Sequence, residues 1–179
     1  MLFRSKKTMP DRLWRQYFLA DFISEGSVFS NLQNCYFTNY LEPPDQFLWI
    51  EPGGQEKKVV IGVDWARNVD FTVFMAFEVS SRKLIGIQRM KGVGYPIQIK
   101  RLKIFTEKFA ECLTVWHDKT GVGVALDDML GQTELPFRGI TFSNASKNEL
   151  MVKLMLSFEQ ESIRIPQINH LVNELTDIE

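Results

Sequence analysis

The stretch from Lys57 to Phe77, KKVVIGVDWARNVDFTVFMAF, decides the fold class. Two apolar runs within it, residues 59–63 and 71–77, are rich in Val, Ile and Phe, which is typical of buried β-strands. The polar segment between the runs begins with Asp64. A carboxylate at the end of a buried strand is costly without a partner. Asp64 therefore either caps a turn or belongs to a site in which a metal ion, Arg67 or backbone donors compensate its charge.

The rest of the chain alternates short strands with helices. Apolar patterns predict strands over residues 59–64, 71–79, 84–90, 113–118 and 137–142, and helices over 97–111, 124–130 and 145–159, the last capped by Ser143 or Asn144. A short edge strand at 162–165 and a helix from about residue 167 follow. Because the first three strands have short connections, they form an antiparallel meander. The sequence predicts an α/β fold with a mixed five-stranded sheet flanked by helices.

Residues 1–56 differ from the remainder. Apolar residues within 10–22 recur at helical spacing, and Gly26 is suited to end such a helix. Residues 31–54 contain prolines and scattered aromatic residues without periodicity, which predicts a connecting segment. We therefore predict a tail and linker over residues 1–56 and one α/β domain over residues 57–179.

Composition narrows the class of protein. The chain has 179 residues, of which 45% are hydrophobic and 24% charged, which is typical of one globular core. The formal net charge is −1, so any affinity for nucleic acid must come from a local patch. Cys35 and Cys112 form neither a metal motif nor a disulfide scaffold, which favours a reducing cytoplasm. The pattern predicts neither a membrane span nor a secretory signal.

Asp118 ends the predicted strand 113–118 as Asp64 ends the strand before the polar segment. A right-handed crossover would place these strands side by side and parallel, with both carboxylates at the same sheet edge. Two such carboxylates repel each other unless a divalent cation holds both ionised. Oxygen ligands favour Mg²⁺ or Mn²⁺, and a pair of these ions can promote phosphodiester cleavage. We predict Asp64 and Asp118 as catalytic metal ligands.

The neighbouring polar residues have open interpretations. Arg67 and Asp70 lie on the predicted loop over the site, where Arg67 would hold a scissile phosphate or form a salt bridge with Asp70. His117 precedes Asp118 and points to the opposite side of the strand, which favours a core histidine. The turn Thr120-Gly-Val-Gly123 opens a helix, where it would bind an anion or simply allow a tight turn.

Basic residues provide candidate DNA contacts. The main candidates are Lys119, Lys147 and Lys153, and further positive charge comes from Lys100, Arg101, Lys103 and Lys108. Basic side chains on exposed helix faces contact phosphates in DNA-binding proteins, but elsewhere they are simply solvated.

Several segments together resemble a known family. The motifs are Ile61-Gly-Val-Asp-Trp-Ala-Arg67 with Asp70-Phe-Thr72, and Val115-Trp-His-Asp118 with Thr120-Gly-Val-Gly123. They resemble the nuclease domain of phage large terminase subunits. Residues 143–166, with Lys147 and Ile163-Arg-Ile-Pro166, resemble the segment that follows in that family, and residues 15–22 resemble the tail of its ATPase domain.

The resemblance implies a ribonuclease H-like fold and a metal-dependent endonuclease. In that family the nuclease cuts double-stranded DNA concatemers during genome packaging, with Mg²⁺ or Mn²⁺ in a two-metal mechanism. The implied partners are DNA, the ATPase domain of the same protein, the portal and the small terminase subunit. The implied location is the cytoplasm of a bacterial host.

Two departures from the family pattern affect the expected activity. The Walker motifs of the ATPase are absent from residues 1–179. The third acidic ligand of the family, often in an Asp-Asp pair on a late helix, has no counterpart, since Asp177 lacks that context. We expect weak metal binding and little cleavage. The alternatives are a junction resolvase or transposase core, an actin-like ATPase or sugar kinase, and an inactive truncated DNA-binding module.

Overall fold

The computed structural model describes residues 9–11, 13–14, 28–119 and 123–177, with the backbone alone at 123–125. The chain divides into two compact units, one formed by Met1–Glu42 with Ser143–Glu179 and the other by Pro43–Phe142. Most of the predicted helix at residues 10–22, including the segment 15–22, lies outside the described residues. Within the described part, no helix is both long and apolar enough to cross a membrane.

The unit Pro43–Phe142 contains a six-stranded mixed sheet with two α-helices. Its strands are β1 (Phe47–Ile50), β2 (Lys58–Asp64), β3 (Thr72–Glu78), β4 (Leu84–Met90), β5 (Glu111–Asp118) and β6 (Phe137–Ile140), and its helices are α1 (Tyr95–Thr106) and α2 (Gly123–Gly131). The strand order is β1-β4-β3-β2-β5-β6. Strands β2, β3 and β4 form the predicted antiparallel meander. The parallel pairing of β2 with β5 confirms the predicted crossover.

Three expectations about single elements were wrong. Residues 31–54 are not merely a connecting segment, because β1 pairs antiparallel with β4 and adds a sixth strand. Residues 162–165 add no strand to the sheet, and Ile165 forms only an isolated bridge with Tyr36. The helix predicted to reach residue 111 ends at Thr106, because the chain turns there and enters β5 at Glu111.

Helices α1 and α2 cover one face of the sheet, here called the helix-covered face. Alternate residues of β2, namely Val59, Ile61 and Val63, point into this core. A series of aromatic contacts extends through it, with ring centroids 5.8 Å apart for Trp65–Phe74, 5.9 Å for Phe74–Phe105 and 5.4 Å for Phe105–Phe109. The chain at the end of β2 is therefore held by close packing that continues to α1.

Gly86 on β4 allows this packing, which gives a testable prediction. A Cβ at Gly86 would lie 2.7 Å from the Phe109 ring and 3.1 Å from Ile50. Gly86→Ala should therefore lower the free energy of unfolding by about 1–3 kcal/mol through overpacking. Gly62→Ala on β2 is the matched control, because nothing lies within 4 Å of the added methyl group. Equal urea-unfolding midpoints for the two variants would contradict this packing.

The unit of Met1–Glu42 with Ser143–Glu179 contains α3 (Asn144–Glu159) and α4 (Asn169–Thr176). Ser143 caps α3, as predicted, since its hydroxyl accepts a hydrogen bond from the Ser146 amide at 3.1 Å. The Phe29 and Phe158 rings pack with centroids 5.0 Å apart. The assignment of residues 1–56 to an ATPase tail and linker stays a prediction.

Candidate metal centre

Asp64 and Asp118 end two adjacent parallel strands. The β2–β5 register pairs Val63 with His117, so the next residues along both strands are the two aspartates. Val63 and His117 are buried on the helix-covered face. Because side chains alternate along a strand, both aspartates point to the opposite face. Neighbouring strands lie about 4.8 Å apart, which brings the two carboxylates close enough for one shared cation.

The exposure of the two carboxylates suits a site that meets a large substrate. Asp64 is exposed and Asp118 is half-buried. One or two carboxylates with several waters are a usual protein environment for Mg²⁺, so this pair fits such an ion. Among the described residues, no group of three or more His, Cys, Asp or Glu side chains has the geometry of a metal site.

The loop after β2 begins with a buried tryptophan, and hydrogen bonds between Ala66 and Thr72 join its two ends. Trp65 is only 6% exposed and packs against Phe74 and the His117 ring. The Ala66 amide donates a hydrogen bond to the Thr72 hydroxyl at 2.8 Å. The Thr72 hydroxyl oxygen also lies 2.8 Å from the Ala66 carbonyl oxygen, within reach to donate back. These contacts fix the backbone on either side of the exposed tip of the loop.

Arg67 and Asp70 lie in this exposed part of the loop. The structure does not bring them together, since no ion pair joins these two described residues. The alternative interpretation of a salt bridge between them was therefore wrong. Their predicted catalytic roles stay predictions.

His117 and Lys119 both turn toward α2. His117 is 3% exposed, as expected for a core histidine, and its Nε2 lies 3.5 Å from Oδ1 of Asp127. Lys119 Nζ lies 2.5 Å from Oδ2 of the same carboxylate. A Cβ at Gly139 would lie 3.0 Å from the Lys119 side chain and 3.3 Å from His117, so β6 approaches closely here. The cluster fixes the chain directly before and after Asp118.

Comparisons with known proteins agree with this geometry. No protein-family model matches the chain. The chain is 28% identical over 169 residues to the large terminase subunits of Thermus virus P23-45 and Thermus phage G20c. Each alignment covers 93% of this chain and 34% of the relative, so the chain spans about a third of the length of these relatives.

Solved structures of similar shape come from the same kind of protein. The crystal structure of the large terminase nuclease from thermophilic phage G20c with bound magnesium has a TM-score of 0.74 at 24% sequence identity, covering 86% of this chain and 81% of that chain. The fold is that of a large terminase nuclease domain. Structures of the G20c nuclease with bound cobalt and zinc also match, at TM-scores of 0.74 and 0.72 and 23% identity. The predicted resemblance and the ribonuclease H-like α/β fold class are confirmed.

Within this terminase nuclease fold, the predicted basic residues fall into separate regions. Lys100, Arg101 and Lys103 are exposed on α1, which covers the sheet face opposite Asp64 and Asp118. Lys147 and Lys153 lie on α3 in the other unit, where Lys153 pairs with Glu149 at 2.6 Å. The DNA-binding roles of Lys119, Lys147 and Lys153 stay predictions.

Sequence reasoning missed Gln98, which supports the loop after β2. Gln98 on α1 is 1% exposed, donates a hydrogen bond to the Ala66 carbonyl at 2.7 Å and lies 2.9 Å from the Thr72 hydroxyl. A signal was present in the sequence, because Gln98 shares helical spacing with Leu102 and Phe105. A polar residue on an apolar helix stripe indicates a buried hydrogen-bond network.

Two further features of the sequence were the glycine turn, a candidate anion site, and the two cysteines. Residues 120–122 of the predicted glycine turn lie outside the described residues. Cys35 and Cys112 are free cysteines in the structure. Burial raises the pKa of the Cys112 thiol to about 11, which disfavours the thiolate that a metal ligand requires.

Proposed function

We propose that the chain is the nuclease part of a phage large terminase subunit. In this proposal it is a divalent-metal-dependent endodeoxyribonuclease that cuts double-stranded DNA concatemers during genome packaging. The observation that carries the proposal is the parallel register of β2 and β5, which sets Asp64 and Asp118 side by side. The shared fold and the 28% identity to large terminase subunits support it.

In the proposed site, Asp64 and Asp118 hold Mg²⁺ or Mn²⁺. The crystallised G20c nuclease has bound magnesium, cobalt or zinc in separate structures, which supports a divalent ion here. When bound, a pair of such ions supplies water activation and stabilisation of the leaving oxygen, the two-metal mechanism. Arg67 donates paired hydrogen bonds to the phosphate. Asp70 adds a further carboxylate at the same sheet edge.

Roles for the basic residues and for the rest of the chain belong to the same proposal. Lys119, Lys147 and Lys153 contact DNA phosphates, with Lys119 exchanging its partner Asp127 for the substrate. Residues 1–56 form the tail of an ATPase domain and its linker, and residues 57–179 form the nuclease domain. The portal and the small terminase subunit are the proposed partners, inside the cytoplasm of a bacterial host.

The test is a plasmid-nicking assay with Mg²⁺, Mn²⁺ or EDTA. We expect weak nicking with Mg²⁺, more with Mn²⁺ and none with EDTA, because two carboxylates leave a bound Mg²⁺ with most of its waters. A longer chain that carries a third acidic ligand should cut more strongly. Preferential cutting of four-way junctions would favour a junction resolvase, and DNA binding without cutting in every metal would favour an inactive DNA-binding module.

A further inference from the structure

A row of three residues crosses the sheet next to the two aspartates. The registers pair Gly62 with Trp116 and Trp116 with Arg138. Gly62 and Trp116 lie two positions before Asp64 and Asp118 along their strands, and Arg138 pairs with Trp116, so the Trp116 and Arg138 side chains share the face of the carboxylates. Trp116 remains 39% exposed and Arg138 is exposed. The face therefore carries an accessible aromatic ring and a cation beside the candidate metal site.

The Arg138 guanidinium is held in place but not neutralised. Its Cζ lies 5.7 Å from the centroid of the Trp116 ring, within cation–π distance. No ion pair involves Arg138 among the residues that the structure describes. Arg89 on the same face differs, because it donates a hydrogen bond to the Asp45 carbonyl at 2.7 Å and stacks on the Phe71 ring. Arg138 keeps its donor groups available for a ligand.

We propose that Arg138, positioned by Trp116, binds a phosphate of the substrate DNA. This phosphate is the neighbour, in the same DNA strand, of the phosphate that meets Asp64 and Asp118. This inference rests on the proposed nuclease function. One row of side chains lies about 7 Å from the next along a strand, comparable to the spacing of neighbouring phosphates in one DNA strand. A guanidinium held at cation–π distance from an aromatic ring, without an ion-pair partner, keeps its N–H groups available for phosphate oxygens. Because the contact is to the phosphate backbone of the DNA, it adds affinity without a preference for base sequence.

The two residues have different parts in the contact. Arg138 supplies the charge, so its loss removes one neutralised phosphate and weakens the salt dependence of binding. Trp116 orients the guanidinium, so its loss weakens binding but leaves the number of charges unchanged. A purely structural Trp116–Arg138 contact would instead lower the melting temperature and leave the salt dependence untouched.

The experiment measures fluorescence anisotropy of a labelled DNA duplex with Ca²⁺ present, across a series of KCl concentrations. Arg138→Ala should weaken binding about tenfold at low salt and reduce the slope of log K against log salt by about one. Arg138→Lys should restore the slope with partial affinity. Trp116→Leu should weaken binding at an unchanged slope. The matched control is Arg82→Gln in the exposed turn after β3, at the opposite end of the sheet from Asp64 and Asp118, which should bind as the wild type does.

Each outcome separates this inference from the nuclease proposal. An unchanged slope in Arg138→Ala, an equal loss in Arg82→Gln, or no binding by the wild type would overturn the inference. If the wild type nicks DNA and Arg138→Ala binds the duplex as the wild type does, the nuclease function is supported and the Arg138 contact is not. Binding that depends on Arg138 without nicking in any metal would support the contact and overturn the nuclease function.

Discussion

Asp64→Asn is expected to reduce metal-dependent DNA nicking by about 10³-fold or more, and Asp118→Asn should do the same. The amide keeps the shape of the carboxylate but removes the charge that would hold a divalent ion. Loss of metal-borne stabilisation amounts to several kcal/mol in the transition state, which corresponds to about that factor in rate. The measurement is initial nicking rate at fixed Mn²⁺ and salt, alongside titration of Mn²⁺ binding.

The same variants separate a metal site from a structural cap. Two carboxylates on one sheet edge repel each other without metal, so replacing either should leave the melting temperature in EDTA unchanged or raise it. Asp128→Asn is a suitable control, because Asp128 is exposed on α2, which packs on the other face of the sheet. A sharp fall in the melting temperature of Asp64→Asn in EDTA would mean that Asp64 caps the turn instead.

Trp65→Ala is expected to lower the free energy of unfolding by about 3–5 kcal/mol, the usual range for removing a buried tryptophan. Trp65 directly follows Asp64, is nearly fully buried and packs against Phe74 and His117. Its removal should loosen the end of β2 and reduce nicking by more than the loss of folded protein explains. Urea unfolding and nicking at a temperature well below the melting point measure the two effects.

Trp65→Phe provides the matched control for this prediction. The indole Nε1 is buried without a hydrogen-bond partner among the described residues, so the phenylalanine variant loses volume but no hydrogen bond. It should cost less than half as much stability as the alanine variant. Equal stability of the wild type and Trp65→Ala would show that the packing of this residue does not hold the end of β2.

The central strands and the pairing of the two aspartates could be predicted from sequence for physical reasons. Strands β2 and β3 contain apolar runs rich in Val, Ile and Phe, and β5 carries a shorter apolar pattern that Thr114 interrupts. A right-handed crossover then allows an arrangement in which Asp64 and Asp118 end neighbouring strands, and the β2–β5 pairing confirms it. Both steps depend on local composition and chain topology, which the sequence contains.

The elements that escaped prediction depend on tertiary contacts. The four residues of β1 have no period-two pattern and become a strand because β4 offers a free edge. The partner of Lys119 is Asp127 on α2, whose distance from Lys119 depends on how that helix packs. The same holds for Gln98, which reaches the loop after β2 only once α1 lies on the sheet. No local pattern encodes such distances.

The most direct test of a metal site at Asp64 and Asp118 is anomalous X-ray scattering from crystals soaked in MnCl₂, measured at the manganese absorption edge. We predict an anomalous peak within about 2.5 Å of a carboxylate oxygen of each of the two aspartates. The peak should disappear in Asp64→Asn crystals soaked in the same way. Manganese bound elsewhere, with no peak between Asp64 and Asp118, would contradict the account.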